Sequence, residues 1–410
     1  MSDMSGAARN SGSVLVLTHF HPPEPCAAAN RVVALMRALE ESGFDVHVVT
    51  GVANFPNGAI ARDDRVVFPK TTHEGTVRLT RVWTYASTRL SGRNRLLNWL
   101  SVAFAMTVYV VFLRRRYDFV IVTMPPITLA LPALCAMLRH RAKLIVDVRD
   151  VFPDVAIEMG YWRANGLAAR IVGSIATVMY RAARLVLCVT ESAEREIIAR
   201  GSAPAKTVVA SNGFDSVRVA AKSPYQRRAD DFVAAFVGNM GLATGLDVIL
   251  DAAGLCKDEP RIRFVLAGGG ADYARLTTRI GTERLDNVVM LGVVPRESAN
   301  ALIADVDVSI VPLHVSIVDS LPTKLFDALV LGTPVVCCAR GEARTFVERS
   351  EGGIALPPQD GARLARALRA LLADAASRRS FAERGRAYVL EHYDRRKIMR
   401  SVAARLREMG

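Results

Sequence analysis

The chain has 410 residues, 51% of them hydrophobic, and carries 53 Lys+Arg against 40 Asp+Glu for a net charge of +13. That length suits two domains with sizeable cores, and the composition excludes a disordered or fibrous chain. Six scattered cysteines, with no CxxC pair and no metal-ligand His spacing, fit a reducing compartment and no zinc site.

In chain order, the polar opening "MSDMSGAARNSGS" reads as a tail and not a signal peptide, disordered over 1–12. "SVLVLTHF" from Ser13 is a strand, "AAANRVVALMRALEESG" an amphipathic helix ending at Gly43, and "DVHVVTG" the next strand. From Thr76 to Tyr117 there is no acid, while Arg78, Arg81, Arg89, Arg93, Arg95, Arg114, Arg115 and Arg116 all fall there. These surround the apolar run "LLNWLSVAFAMTVYVVFL" (96–113), interrupted by Asn98, Ser101 and Thr107. Strands follow in "YDFVIVTMPP", "AKLIVDVRD", "RLVLCVTES" and "KTVVASNGFD". A polar stretch at 216–230 is a linker. Then the rhythm restarts with "DFVAAFVGNMG", "IRFVLAGGG", "NVVMLGVVP", "VDVSIVPL" and "TPVVCCA".

Strands alternating with helices mean parallel sheets covered on both faces. The expected architecture is α/β: two doubly wound Rossmann-like domains, 13–215 and 231–385, facing across a cleft. A helical stretch, 386–410, packs back on the first. Ligands in such sheets gather beyond the carboxyl ends of strands, so functional residues are sought just after them.

Several motifs sit there. "VGNMGLATGLDVIL" (237–250) is strand, Gly-rich turn and helix. Amides bared by Gly238, Gly241 and Gly245 could receive a phosphate, or the glycines could simply make a tight turn. "LAGGGADYARL" (266–276) is a second such turn, whose glycines often serve only helix–strand packing. "VDVRDVFPD" (146–154) clusters Asp147, Arg149, Asp150 and Asp154, as helix caps or with Asp150 facing the cleft. "HFHPPEPCAAANR" (19–31) is either a rigid loop with Glu24 solvated, or a ligand loop with Arg31 and a helix N-terminus aimed at an anion. "DVD" at 305–307 reads as a strand start and not a metal pair.

"DSLPTKLFDALVLGTPVV" (319–336) puts Thr323 and Lys324 at a helix start between two acids eight positions apart. Read plainly, Asp319 or Ser320 lies near the cap and Asp327 on a wet face. Read functionally, Lys324 meets a diphosphate, Asp319 accepts bonds from sugar hydroxyls, and Asp327 takes both hydroxyls of a ribose.

In order and spacing, "HPPEPCAAANRV", "VRDVFPDVA", "SNGFD", "VGNMGLATGLDVIL", "VLAGGGADYARL", "NVVMLGVVPRESANALIADVDVSIVPL" and "SLPTKLFDALVLGTPVV" resemble the retaining glycosyltransferases of family 4, which have the GT-B fold. The branch with the fucosamine and colanic-acid transferases looks closest. The resemblance runs from about Ser13 to the C-terminus. It implies a nucleotide-sugar donor in the C-terminal domain and an acceptor in the N-terminal one. On this sequence it places Asp150, Asp319 and Glu24 among the catalytic residues. Lys324, Asp327, Asn239, Gly241, Thr323, Gly238 and Arg149 fall around the donor. The sequence departs from the family pattern in four places, the first being the Gly-Gly loop after the first strand, replaced here by Pro-Glu-Pro-Cys-Ala. The family's two spaced glutamates are Asp319 and Asp327. Its Arg/Lys pair falls on Asn239 and Thr244. Its active-site His falls in the Arg149–Asp150 region. With Lys324 and amides on the diphosphate, no metal cofactor is expected, and no nucleic-acid partner. A GT-B nucleotide-sugar epimerase and a non-catalytic nucleotide-sugar-binding protein are the alternatives.

The run at 96–113 has the length of a short membrane span. A span there would split the first sheet across the bilayer. Either the helix is core, or its flanking arginines hold it in the interface of an anionic leaflet. The second reading suits the family branch, whose acceptor is often a lipid-linked saccharide. It predicts a peripheral enzyme on the inner face of the cytoplasmic membrane.

Overall fold

The computed structural model describes residues 11–410 apart from Pro25, Pro56, Leu90, Ser216, Ala221, Val318 and Asp319, and apart from the side chain of Leu242. Most of the expected 1–12 tail lies outside these residues. Its last two do not: Ser11 donates its amide to Gly43 at 3.0 Å and its hydroxyl to Ser42 at 2.8 Å.

The chain forms two compact units, Met1–Asn212 with Arg395–Gly410, and Gly213–Asp394. In the first, β1 (Ser13–Leu17), β2 (Asp45–Gly51), β3 (Lys70–Glu74), β4 (Val77–Val82), β5 (Phe119–Met124), β6 (Lys143–Val148), β7 (Leu185–Cys188) and β8 (Thr207–Val209) lie in the order β3-β4-β2-β1-β5-β6-β7-β8. All pairings are parallel except β3 with β4. That hairpin leaves no mark on the sequence pattern because every residue of β3 is exposed, so it carries no apolar alternation. Alternate residues of β1 serve the two faces. Leu15 and Leu17 meet one core; Val14 and Val16 meet the other. The first face is covered by α2 (Gly92–Phe112), α3 (Ala130–His140) and α5 (Leu167–Ala182), with the short α4 (Asp154–Glu158) between the last two in sequence and α6 (Glu191–Ala199) beyond them. The second is covered by α1 (Ala27–Glu41), whose Val32, Leu35, Met36 and Leu39 are buried at helical spacing.

In the second unit β9 (Phe232–Val237), β10 (Ile262–Ala267), β11 (Val288–Gly292), β12 (Val308–Pro312), β13 (Val335–Cys338) and β14 (Gly353–Leu356) form a parallel sheet ordered β11-β10-β9-β12-β13-β14. Its helices are α7 (Asp247–Leu255), α8 (Tyr273–Thr282), α9 (Arg296–Asp305), α10 (Thr323–Val330), α11 (Gly341–Ser350), α12 (Gly361–Ala373) and α13 (Ala375–His392). β12 begins after the "DVD" stretch, which closes α9 instead. Asp307 accepts from the Val233 amide and from Arg227. The stretch expected as one helix from 386 is two. α13 ends at His392 and packs in the second unit, where Tyr393 stacks on Phe326 at 4.8 Å. α14 (Arg395–Met409) belongs to the first, burying Met399, Val402, Ala403 and Leu406 beside α1.

α2 is the one helix among the described residues long and apolar enough to cross a membrane by length and composition. It is half of each reading given for it. Val102, Met106 and Val110, with Asn98, are buried against the sheet, while Leu100, Phe104, Val108 and Phe112 on the other side are exposed. Phe104 is 66% and Phe112 79% accessible. The three polar interruptions are satisfied within the unit: Asn98 donates to the Tyr85 carbonyl at 2.6 Å, the Ser101 hydroxyl accepts the Tyr85 amide at 2.9 Å, and the Thr107 hydroxyl donates to the Ala103 carbonyl at 2.7 Å.

Candidate active site

In the second unit the candidate residues converge beyond β9. Gly238 follows the strand with φ +145°, and a Cβ there would stand 2.2 Å from the Lys324 Cε. Only glycine leaves room for that side chain. Lys324 is the second residue of α10, and its ammonium lies 5.3 Å over the Phe236 ring. It therefore crosses the Gly238 turn in a groove the missing side chain creates. Burial pushes its ammonium below the usual lysine range, and Asp327, one helical turn on, opposes that shift. Thr323 and Lys324 open α10, so their amides have no intrahelical acceptor and sit at the positive end of the helix dipole. A cation, helix-start amides and a glycine turn at one strand end form a ready receptor for a diphosphate.

The "GGG" turn serves this arrangement from below. A Cβ on Gly268 would meet the Gly238 carbonyl oxygen at 1.9 Å, and one on Gly270 would meet that of Met240 at 2.5 Å. The Met240 amide donates to Gly269 at 2.8 Å and Asp272 donates back to Met240 at 3.0 Å. The two glycine turns are thus packed backbone to backbone, and these glycines are a packing device. Gly241 starts the short turn 242–244, closed by the Thr244 amide on the Gly241 carbonyl at 3.0 Å. The Thr244 hydroxyl bonds the same carbonyl, which turns that side chain into its own loop. Asn239 is exposed beside Gly241. Asp327 is partly accessible on α10, and Asp319 lies outside the described residues.

In the first unit the expectations fare differently. Glu24 is not solvated. It is buried, and its carboxylate accepts the amides of His21 at 3.2 Å and of Asn54 and Phe55 at 3.0 Å each. It staples two loops together, which corrects the solvated reading of Glu24. Arg31 faces the Asp147 carboxylate and not a ligand anion. It is fully buried, donates to Asp147 at 2.7 Å, and caps the Ala210 carbonyl at 2.7 Å. Asp154 opens α4 and pairs with Arg200 at 2.5 Å. Arg149 donates to the Pro125 carbonyl at 2.8 Å and lies 5.9 Å over the Phe20 ring. Its buried Nε has no partner among the described residues. Asp150 follows it, exposed. His19, which carries no role by sequence alone, is buried beside Arg149. Burial and that cation hold it neutral, down at about 4. Its burial shows only in the fold, because the motif gives no periodicity from which to read it.

Residues 27–213 match the family model "Glycosyl transferase 4-like domain" and residues 218–388 the model "Glycosyl transferases group 1". The probable glycosyltransferase WbjE of Pseudomonas aeruginosa is 24% identical over 293 residues, 67% of this chain and 72% of that protein. The putative colanic acid biosynthesis glycosyltransferase WcaL of Escherichia coli is 26% identical over 197 residues, 47% of this chain, and the match spans about half of its length at 48%. Among solved structures, sucrose-phosphate synthase from Thermosynechococcus elongatus superposes with a TM-score of 0.74 at 19% identity, covering 97% of this chain and 99% of that one. HepE of Anabaena in complex with UDP-glucose does so with a TM-score of 0.68 at 16% identity, covering 97% and 100%. The fold is that of the GT-B glycosyltransferases.

Proposed function

We propose, for a chain that carries a glycosyl transferase 4-like domain followed by a glycosyl transferases group 1 domain, that it moves a sugar from a UDP-sugar to a lipid-linked saccharide with retention of configuration. The reading rests first on Lys324, laid across the Gly238 turn at the start of α10. Charge builds on the leaving diphosphate as the glycosidic bond breaks, and donors already fixed in place stabilise it without reorganisation. The cation and amides supply that stabilisation, so the transfer needs no divalent metal. Thr323, Gly238, Asn239 and Gly241 border the diphosphate. Asp327 holds the ribose, and Asp319 the sugar. Arg149 and Asp150 act from the first unit, Arg149 toward the donor and Asp150 on the acceptor hydroxyl. UDP-glucose bound to HepE and the colanic-acid role that WcaL is named for support the donor class and a place in surface polysaccharide biosynthesis.

The exposed apolar side of α2 favours a lipid-linked acceptor and a peripheral site on the inner face of the cytoplasmic membrane. It also favours a transferase over an epimerase or a bare binding protein, neither of which needs such a face. Sedimentation with phosphatidylglycerol vesicles at low salt should pull the protein down. Replacing Arg114, Arg115 and Arg116 with Gln should weaken this by about 1 kcal/mol per charge. Protein remaining in the supernatant would remove the membrane from the proposal. Release of UDP from UDP-glucose, measured with and without acceptor, tests the transferase itself. Asp150→Ala should slow transfer while leaving UDP affinity intact.

A further inference from the structure

Arg149 rests on a stack of rings that is anchored on α2. Its guanidinium lies 5.9 Å over the Phe20 ring, within cation–π range. The ring of Phe20 meets that of His19 at 4.8 Å and that of Phe55 at 5.8 Å, each at 81° and so edge to face. Hydrogen bonds leave much of the guanidinium loose. One terminal nitrogen donates to the Pro125 carbonyl at 2.8 Å, and the buried Nε has no partner among the described residues. The ring face is therefore what sets its plane. Both flanks of Phe20 lead to one side chain, the buried carboxamide of Asn98. Its nitrogen donates to the Asn54 side chain at 3.3 Å, next to Phe55, and to the Tyr85 carbonyl at 2.6 Å. That leaves its oxygen for the bond to the His19 ring. The Ser101 hydroxyl, one turn on, donates to the Asn98 carbonyl at 2.8 Å and steadies that turn of the helix. One carboxamide thus ties α2 to the segments after β1, β2 and β4, at the end of the sheet where ligands gather.

We propose that Asn98 and Phe20 are positioning residues for Arg149, with Asn98 acting through His19 and Asn54 on the ring that carries the guanidinium. This rests on the part given to Arg149 in the proposed transfer. A cation stabilises a developing negative charge most when it is already in place, and a displacement of about 1 Å can cost about 100-fold in rate. His19 serves the same end by staying neutral. Its Nδ1 has no partner among the described residues, so the bond to Asn98 puts the single ring proton on Nε2. A charged ring there would push the Arg149 guanidinium from its seat.

A double-mutant cycle read on UDP release from UDP-glucose is the first arm of the test. Phe20→Leu and Asn98→Ala should each lower the rate about 10-fold, and neither should lower it further in Arg149→Gln. The second arm is nuclear magnetic resonance of the Arg149 Nε–H, identified by its loss in Arg149→Gln. That signal should move in Phe20→Leu and in Asn98→Ala. Asn98→Asp sets a carboxylate against His19 and should raise the His19 titration above its value of about 4. Losses that add to that of Arg149→Gln overturn the proposal. So does an Arg149 signal unmoved in Asn98→Ala, or a His19 titration unmoved in Asn98→Asp. If Asn98→Ala does not fold, Phe20→Leu and Asn98→Asp carry the same readouts. If the wild type releases no UDP, the transferase reading fails, and the Arg149 and His19 signals alone decide the positioning.

Discussion

The two units build polar sites from opposite materials. The second uses backbone: Gly238, Gly268 and Gly270 let turns lie on one another, and one cation, Lys324, crosses the gap. The first uses buried side chains: Arg31 on Asp147, Glu24 on three amides, and His19 beside Arg149. Under the proposed function, backbone turns would receive a diphosphate whose shape is the same on any donor, while side chains, which can be exchanged with less disturbance to the sheet, would suit the fitting of one particular acceptor. What glycine does by absence in one unit, paired charges do by presence in the other.

The contrast can be broken most strongly at Arg31. Arg31→Leu leaves the Asp147 carboxylate buried without its partner, and this should cost about 3–5 kcal/mol of stability. Scanning calorimetry should show the transition of the first unit moving down while that of the second stays. Arg31→Leu with Asp147→Leu should recover most of the loss. If the single variant melts like the wild type, the pair is not what holds β6 to α1.

At the other unit the expected losses are functional. Lys324→Ala should lower transfer by about 10- to 100-fold, the range of a charge-assisted hydrogen bond of roughly 1.5–3 kcal/mol. Gly238→Ala should act through the same lysine, since its methyl would displace the Lys324 Cε. The double variant should therefore be no worse than the worse single one. Additive losses would show that glycine and lysine serve separate ends.

Lys324 also sets a pH dependence. Its ammonium is held below the ordinary lysine value of about 10.4. The charged form is therefore the costly one in the free protein. That cost is present at neutral pH and disappears as pH rises through the lowered value. Donor affinity needs the charge, so it should fall over the same rise. In Lys324→Arg the fall should vanish from the measurable range, because guanidinium stays protonated. Calorimetric titration with UDP at stepped pH reads this directly. The smallest effect belongs to Asp327→Asn, which keeps one acceptor toward the ribose and should weaken UDP by about 1 kcal/mol, roughly five-fold. Identical affinities would leave Asp327 with only its electrostatic role beside Lys324.

Much of this was legible in the residues. Two runs of β-branched strands separated by helices point to two parallel sheets covered on both faces, and the glycine-rich motifs lie, as expected, in turns after β9 and β10. Gly238 and Lys324 were each visible as exceptions to an ordinary turn and an ordinary helix start. Tertiary structure alone decided which partner each exception had. Lys324 and Gly238 are 86 positions apart, and no local pattern says that one fills the space the other leaves. Arg31 and Asp147 look like site residues in sequence because charge there is conspicuous, yet they close on each other 116 positions apart. Glu24 likewise reads as a free acid until Asn54 and Phe55 are folded onto it. α2 is apolar all round, so its sequence has no periodicity to tell a covered face from a bare one. Only the sheet beneath it, by burying Val102, Met106 and Val110, leaves Phe104, Val108 and Phe112 outside. Sequence sets what each element can bury; packing between distant elements chooses which of its groups remain to meet a ligand.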